Sequence, residues 1–151
     1  MVHKKSSREL LDHIGWDLLH VTFLWKNRFD RKMAQRGYPW HSEARGRLLR
    51  YIGYDGISQA TLAEQTDISR QAVQQLLDEL QRDGAITRNP DPDDARKKVI
   101  QLTAFGRQVV GEANLVKEEI EAEYKSLLGE DRFLDLKESL EAIMELKEED
   151  R

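Results

Sequence analysis

The stretch RNPDPDDARKKVIQLT, residues 88–103, decides how the rest of this chain is read. Two prolines and three aspartates fill positions 90–94, three bases follow at 96–98, and an alternating apolar run comes next. Pro and Asp suit turns, Pro through its fixed φ and Asp by bonding its own backbone. Alternation with a period of two marks a half-buried strand. The stretch therefore predicts two short strands, 85–89 and 97–102, around the tip PDPDDAR. An aspartate two residues ahead of Arg96 can hold that guanidinium in one pose by charge-assisted bonds. A posed arginine suits the narrow, electronegative minor groove of DNA. The hairpin thus has the chemistry of a wing: Asp94 sets the pose, Arg96 probes the minor groove, and Lys97 and Lys98 sit near phosphate. Taken alone, such a hairpin is more often a plain polar surface hairpin.

The residues before the hairpin shift that balance. ISQATLAEQTD predicts a short helix with Ser58 as N-cap, and ISRQAVQQLLDELQRDG a longer one capped by Ser69 and stopped at Gly84. Val73, Leu76, Leu77 and Leu80 form the buried face of the longer helix. Helix, tight turn and helix make a helix-turn-helix, whose second helix can lie in the major groove. Away from the leucines that helix presents Arg70, Gln71, Gln74 and Gln75. Gln pairs with adenine and Arg with guanine through two hydrogen bonds each. The free N–H groups at its N-terminus suit phosphate. Ser58, Ser69 and Arg88 complete the expected DNA-facing set. Exposed glutamines are otherwise only good helix formers; the adjoining hairpin favours DNA.

The whole chain fits this reading. Its 151 residues suit one domain. With no cysteine, disulfides, thiolate metal sites and thiol redox sensing are excluded. No apolar run is long enough for a membrane span, and a cytoplasmic protein is expected. The net charge of −4 argues against a polyanion partner until it is divided. Residues 1–55 carry 11 bases and 6 acids, residues 56–110 carry 7 and 8, and residues 111–151 carry 6 and 14. The acidity belongs to the C-terminal part, where it keeps a molecule soluble.

The flanks predict long helices. From residue 7 to about 35, Leu11, Ile14, Leu18, Val21, Trp25, Phe29 and Met33 recur at steps of three and four, with Trp16, His20 and Phe23 on a second, nearly opposite stripe. A helix apolar on two faces is buried on two sides, one of them against a partner or pocket. Pro39 breaks it. Ser42 is the expected N-cap of a helix ending near Gly53. Thr103 is expected to cap a helix to Leu128, with Phe105, Val109, Ala113, Val116, Ile120, Tyr124 and Leu127 on one face and Gly129 as its stop. A last helix carries Phe133, Leu136, Leu140 and Ile143.

The run from Leu62 to Gly106 resembles the MarR family of bacterial transcription regulators. The matching pieces are LA at 62–63, IS at 68–69, LLDEL at 76–80, DG at 83–84, R-x-P-D-P-x-D-x-R at 88–96 and LT-x-x-G at 102–106. The resemblance implies a mainly α fold with a small β-hairpin wing: a winged helix-turn-helix with N- and C-terminal dimerisation helices. It places the dimerisation helices at 7–40 and 107–148 and the DNA-binding lobe at 55–106 of a single domain. It implies a homodimer on a pseudo-palindromic double-stranded operator, and a repressor released by a small-molecule effector such as an aromatic acid or its acyl-coenzyme A thioester. Asp67 departs from the turn glycine common in the family, and Ala95 from a frequent second wing arginine. The missing cysteine excludes the peroxide-sensing branch.

In the family, ligands lie between the dimer helices and the DNA-binding lobe. Trp16, His20, Phe23 and Trp40, with Arg45 and Arg47 to meet an anion, are the expected ligand contacts; aromatic walls with a few polar groups are what such pockets need. Trp25 and Tyr54 lie in the same aromatic-rich region. His13, Asp17 and His20 share one helical face at a spacing that could hold a metal. Apart from His3 and His41 no further histidine supports it, so no metal and no cofactor are expected. Without a Gly-rich phosphate loop, a triad or a motif-placed carboxylate pair, no enzymatic activity is expected. The alternatives to effector-controlled DNA binding are a metal-responsive regulator of the same fold and a winged-helix protein-docking module.

Overall fold

The computed structural model describes residues 12–146. Helix α1 spans Ile14–Gln35 and is followed by a 3-10 turn at Pro39–Ser42, the short α2 at Ala44–Leu48 and a second 3-10 turn at Leu49–Tyr51. Strand β1 (Ile57–Ser58), α3 (Gln59–Gln65), α4 (Arg70–Arg82), β2 (Ile86–Pro90), β3 (Lys98–Leu102), α5 (Ala104–Leu128) and α6 (Glu130–Met144) complete the chain. The architecture is the expected one: mostly helix, with a winged helix-turn-helix between long terminal helices.

The caps predicted for the central lobe form as hydrogen bonds. Ser58 Oγ accepts from the Thr61 amide at 3.0 Å, Ser69 Oγ from Ala72 at 3.1 Å and Thr103 Oγ1 from Gly106 at 3.0 Å. Gly84 closes α4 at φ 76°, a backbone that glycine adopts without a Cβ penalty. Val73, Leu77 and Leu80 of α4 pack with Leu62, Ile86, Ile100 and Val109 in the buried core, while Leu76 is only half-buried.

The wing has one more strand than expected. β3 lies between β2 and β1, with Ile57 opposite Ile100 and Ser58 opposite Val99. Two residues are too few for any periodicity to announce. β2 sits one residue later than predicted, β3 starts one residue later and ends where expected, and the tip is closed by bonds from Asp91 N to Lys97 O at 3.0 Å and from Lys97 N to Asp94 O at 2.9 Å.

The flanks differ more. α1 begins at Ile14 after an extended His13, and Leu11 lies outside the described residues. Ser42 caps nothing: its hydroxyl donates to Pro39 O at 2.9 Å inside the 3-10 turn, and Glu43 holds the N-cap position of α2. Val109, Ala113, Val116 and Ile120 of α5 are buried as expected, but Phe105 and Leu127 are exposed. On α1 only Phe29 and Met33 are buried, and on α6 only Phe133. A single chain thus covers one side of each terminal helix. Ion pairs join α1 to α5: Arg28 to Glu123 at 2.8 Å, Lys32 to Glu119 at 3.1 Å and to Glu123 at 3.2 Å, and Arg36 to Glu112 at 2.9 Å and to Glu119.

Candidate functional site

Two surfaces of the lobe carry its polar chemistry. The first is a cleft of about 330 Å³ where the start of α3, the start of α4 and the wing meet, lined by Ser58, Arg70, Arg96, Lys97 and Lys98 among others. Among the described residues Arg70, Lys97 and Lys98 have no carboxylate partner within ion-pair distance. Arg96 is posed as its spacing predicts. Its Nε donates to Asp94 Oδ1 at 3.1 Å, and Asp94 Oδ1 also accepts the Arg96 amide at 3.1 Å. The Arg96 side chain remains 91% exposed. A cation aimed outward by a carboxylate behind it loses little rotamer freedom when it meets an electronegative groove.

The second surface is the outer face of α4. Gln71 and Gln75 are exposed on it, whereas Gln74 is half-buried and tied. Gln59 Nε2 donates to Gln74 Oε1 at 2.6 Å, and Gln74 Nε2 donates to Asp78 Oδ1 at 3.1 Å. One lone pair and one N–H of the Gln74 amide are left over. Asp78 also accepts from Arg88, whose Nε donates to Gln81 Oε1 at 2.7 Å. Arg88, expected among the DNA contacts, is therefore engaged within the protein, because Asp78 and Gln81 on α4 lie across from its strand. Sequence spacing alone does not bring those three together.

The aromatic pocket is built from other residues than expected. A cavity of about 210 Å³ opens between α1, the α2 region and α5, lined by Trp25, Phe29, His41, Leu49, Val110 and Ala113, with Lys26, Asp30, Arg47, Arg50 and Lys117 around it. Trp25 stacks on Phe29 at 5.2 Å, and Phe29 meets the His41 ring edge-on at 5.4 Å. Of the six expected ligand contacts only Arg47 lines this cavity. Trp16, His20 and Phe23 sit on the exposed second stripe of α1, turned away from it. Trp40 packs beside His41 at 6.2 Å. Arg45 lies over the Trp40 ring, 3.4 Å from Glu43 and 3.2 Å from Asp83 at the end of α4. Tyr54 lies under Arg107. The α1 residues at the cavity are the lower part of the first stripe, which periodicity marks only as core. Nothing in the sequence around His41 announces its place.

Among the described residues His41 is the buried polar one, 8% exposed. Its Nδ1 is shut from solvent without a hydrogen-bond partner. Burial pushes its pKa below the ordinary histidine value, Asp30 opposing and Lys117 adding to the shift. Among the described residues no three His, Asp or Glu side chains gather as a metal site, so His13, Asp17 and His20 do not form one; His3 lies outside those residues. No helix among them is long and apolar enough to cross a membrane.

Comparison with known proteins agrees with this geometry. Residues 42–97 match the model of the MarR family. The transcriptional activatory protein BadR of Rhodopseudomonas palustris is 30% identical over 101 residues, a match covering 67% of this chain and 57% of BadR, so the chain spans little more than half of that relative. The fold is similar to that of MepR from S. aureus in its complex with DNA, with TM-score 0.69 and 25% identity over 89% of this chain and 98% of that one. It is also similar to apo MarR from E. coli, with TM-score 0.71 and 18% identity over 89% and 98%.

Proposed function

Residues 42–97 match the model of the MarR family, and from that premise we propose that the chain is a homodimeric transcription regulator whose hold on double-stranded DNA is controlled by a small anionic effector. The observation that carries the reading is the cleft at the wing, where Arg70, Lys97 and Lys98 stand without carboxylates and Asp94 holds Arg96 outward. Protein docking requires no such arrangement. In the complex α4 lies in the major groove with Gln71, Gln74 and Gln75 toward base edges, and the wing cations lie on the backbone and in the adjoining minor groove.

The lobe at 55–106 meets DNA, and the segments 7–40 and 107–148 make the dimer. An apolar trough of about 670 Å³ between α1, α5 and α6, lined by Ile14, Leu18, Val21, Phe133, Leu136 and Leu140, supports this. An apolar patch this continuous on one chain marks an interaction surface. A second copy covers it and sets two recognition helices about 34–36 Å apart, one DNA turn.

The effector occupies the cavity beside Trp25. Cavities of about 150 Å³ accept benzene, so about 210 Å³ suits one substituted ring. An aromatic acid fits whole, and its coenzyme A thioester only with the nucleotide outside, among the cations at the mouth. Arg47 lines the cavity, and Arg45 on the same short helix reaches Asp83 and Glu79 of α4. A ligand that shifts α2 therefore shifts the recognition helix, provided it binds the two arrangements with different affinity. We take the ligand to weaken DNA binding. Whether that represses or activates a gene depends on where the operator lies, so the activatory name of BadR is compatible.

Selection from a random duplex library by the purified protein, with and without benzoate and benzoyl-coenzyme A, tests the reading. The expected product is an inverted repeat with half-sites about 10 bp apart, recovered less well with ligand. No enrichment over the input library would overturn it.

A further inference from the structure

We propose that His41 takes up a proton when an anionic ligand enters the cavity beside Trp25, so that the effector response of this protein is stronger in acid than in base. The proposal rests on the effector reading above and adds a residue, a protonation state and a direction to it. Three observations converge. His41 sits on the Pro39–Ser42 turn, 92% buried and lining the cavity. Its Nδ1 has neither solvent nor a protein partner. The remaining inner wall is apolar: Trp25, Phe29, Leu49, Val110 and Ala113. A buried polar atom without a bond is costly. Nδ1 is closed off by the protein, so a ligand in the cavity meets the part of the ring that lines it.

The charged groups around the ring fix the sign. Asp30 and Lys26 face the cavity from α1, joined to each other at 2.5 Å; Arg47 and Arg50 face it from α2 and the turn after it; Lys117 faces it from α5. Cations outnumber the single carboxylate, which is itself paired, so the empty site attracts anions and disfavours an imidazolium. Arg47 donates to Ser42 O at 3.0 Å, Arg50 to the Tyr51 hydroxyl at 3.1 Å and Lys117 to Asn114 at 3.2 Å. These exposed groups steer an anion inward. Inside, the polar group that remains to meet it is His41. A carboxylate there reverses the local field and favours the charged ring. The imidazolium then faces the carboxylate from the part of the ring that lines the cavity, with the proton drawn from solvent.

The linkage follows. Between the pKa of His41 in the empty cavity and the higher one in the filled cavity, affinity falls by about tenfold per pH unit as pH rises, and it is flat outside that window. Because ligand and DNA are coupled reciprocally, a given dose of acid loosens DNA more at low pH.

Benzoate is the probe, ionised throughout the range from about pH 5.5 to 8.5 where His titrates. Tryptophan fluorescence reports its binding, and calorimetry at pH 7 in buffers of different ionisation enthalpy counts protons. The expected results are net uptake of up to one proton per protomer and weaker binding at higher pH. His41→Asn keeps a hydrogen-bonding group near Nδ1 but cannot be charged; it should lose both effects. Should that variant not fold, ring ¹⁵N shifts of wild-type His41 at pH 7 decide: benzoate should turn the ring from neutral to imidazolium. Benzoate binding without proton uptake, or with uptake that survives His41→Asn, would overturn the proposal and leave the effector pocket standing. If neither benzoate, salicylate nor phenylacetate perturbs the tryptophans, the pocket reading and this proposal fall together.

Discussion

Gln59 and Asp78 hold the amide of Gln74 still from its two sides, as the proposed reading of a base by Gln74 requires. Gln74→Ala should cost about 1–3 kcal/mol of discrimination at one base pair. Gln59→Ala, at a residue that acts through Gln74, should relax the same base pair by a smaller amount. The two changes should be non-additive in a double-mutant cycle, as expected for residues in one network. Competition between duplexes differing at that base pair checks this; independent effects would mean that Gln59 positions nothing. Arg96→Ala belongs to the other class of contact. It should weaken binding to every sequence, with a salt dependence shallower by about two units for a dimer. At this scale the sequence was informative where partners lie close in the chain. Asp94 and Arg96 are two residues apart, and their geometry followed from the spacing. The Arg88–Asp78–Gln81 set and the buried His41 depend on elements that meet only after folding, and no spacing predicts them.

Between elements, the tightest junction joins the wing to α5. Thr103 Oγ1 donates to Gly84 O at 2.5 Å, and a Cβ on Gly106 would stand 2.0 Å from Ala85 O. Gly106→Ala must displace backbone, and a loss of about 1–3 kcal/mol in stability is expected from such overpacking, read as a lower denaturant midpoint at unchanged slope. The α1–α5 ion pairs predict a pH effect. Bonds from Arg36 and Lys32 hold Glu119 below the usual glutamate pKa. A depressed carboxylate stabilises the fold above its unfolded value, and that contribution is lost as pH falls through the folded value. His41 acts in the same direction: buried and neutral, it must be charged in the unfolded chain at low pH, so its effect also favours unfolding in acid. Thermal melts should show stability falling on acidification in two ranges, the lower one reduced in Glu119→Gln. The central helices and their ends were legible because caps and stops are local: Ser58, Ser69, Gly84 and Thr103 act within a turn of their own positions. The two-residue β1 was not, since it exists only through its pairing with β3. The position of the pocket was not either, since the rotation of α1 about its own axis is set by packing against α5 and not by which of its two stripes is more apolar.

Across the whole molecule, the terminal helices leave Leu18, Val21, Leu136 and Leu140 more than a third exposed on one chain. In the proposed dimer a second copy would remove that surface from water, and sedimentation should find a dimer at micromolar concentration. Leu136→Glu places a charge in the trough and should yield monomers that bind the selected duplex far more weakly, because two half-sites are no longer engaged together. A monomeric wild type with undiminished DNA affinity would remove the symmetric part of the account. The two-faced pattern of α1 pointed to such a partner from the sequence, but only the structure separates the trough from the cavity beside Trp25. The central claim is that Arg70, Lys97 and Lys98, without carboxylates, and Arg96, posed outward by Asp94, together meet the DNA backbone and the adjoining minor groove. Each protomer offers Arg70, Arg96, Lys97 and Lys98. Equilibrium binding of the dimer to its selected duplex across a range of salt concentrations measures their joint effect: eight such contacts predict a log–log slope of about −7, at about 0.9 per phosphate neutralised. A slope near zero would contradict the account.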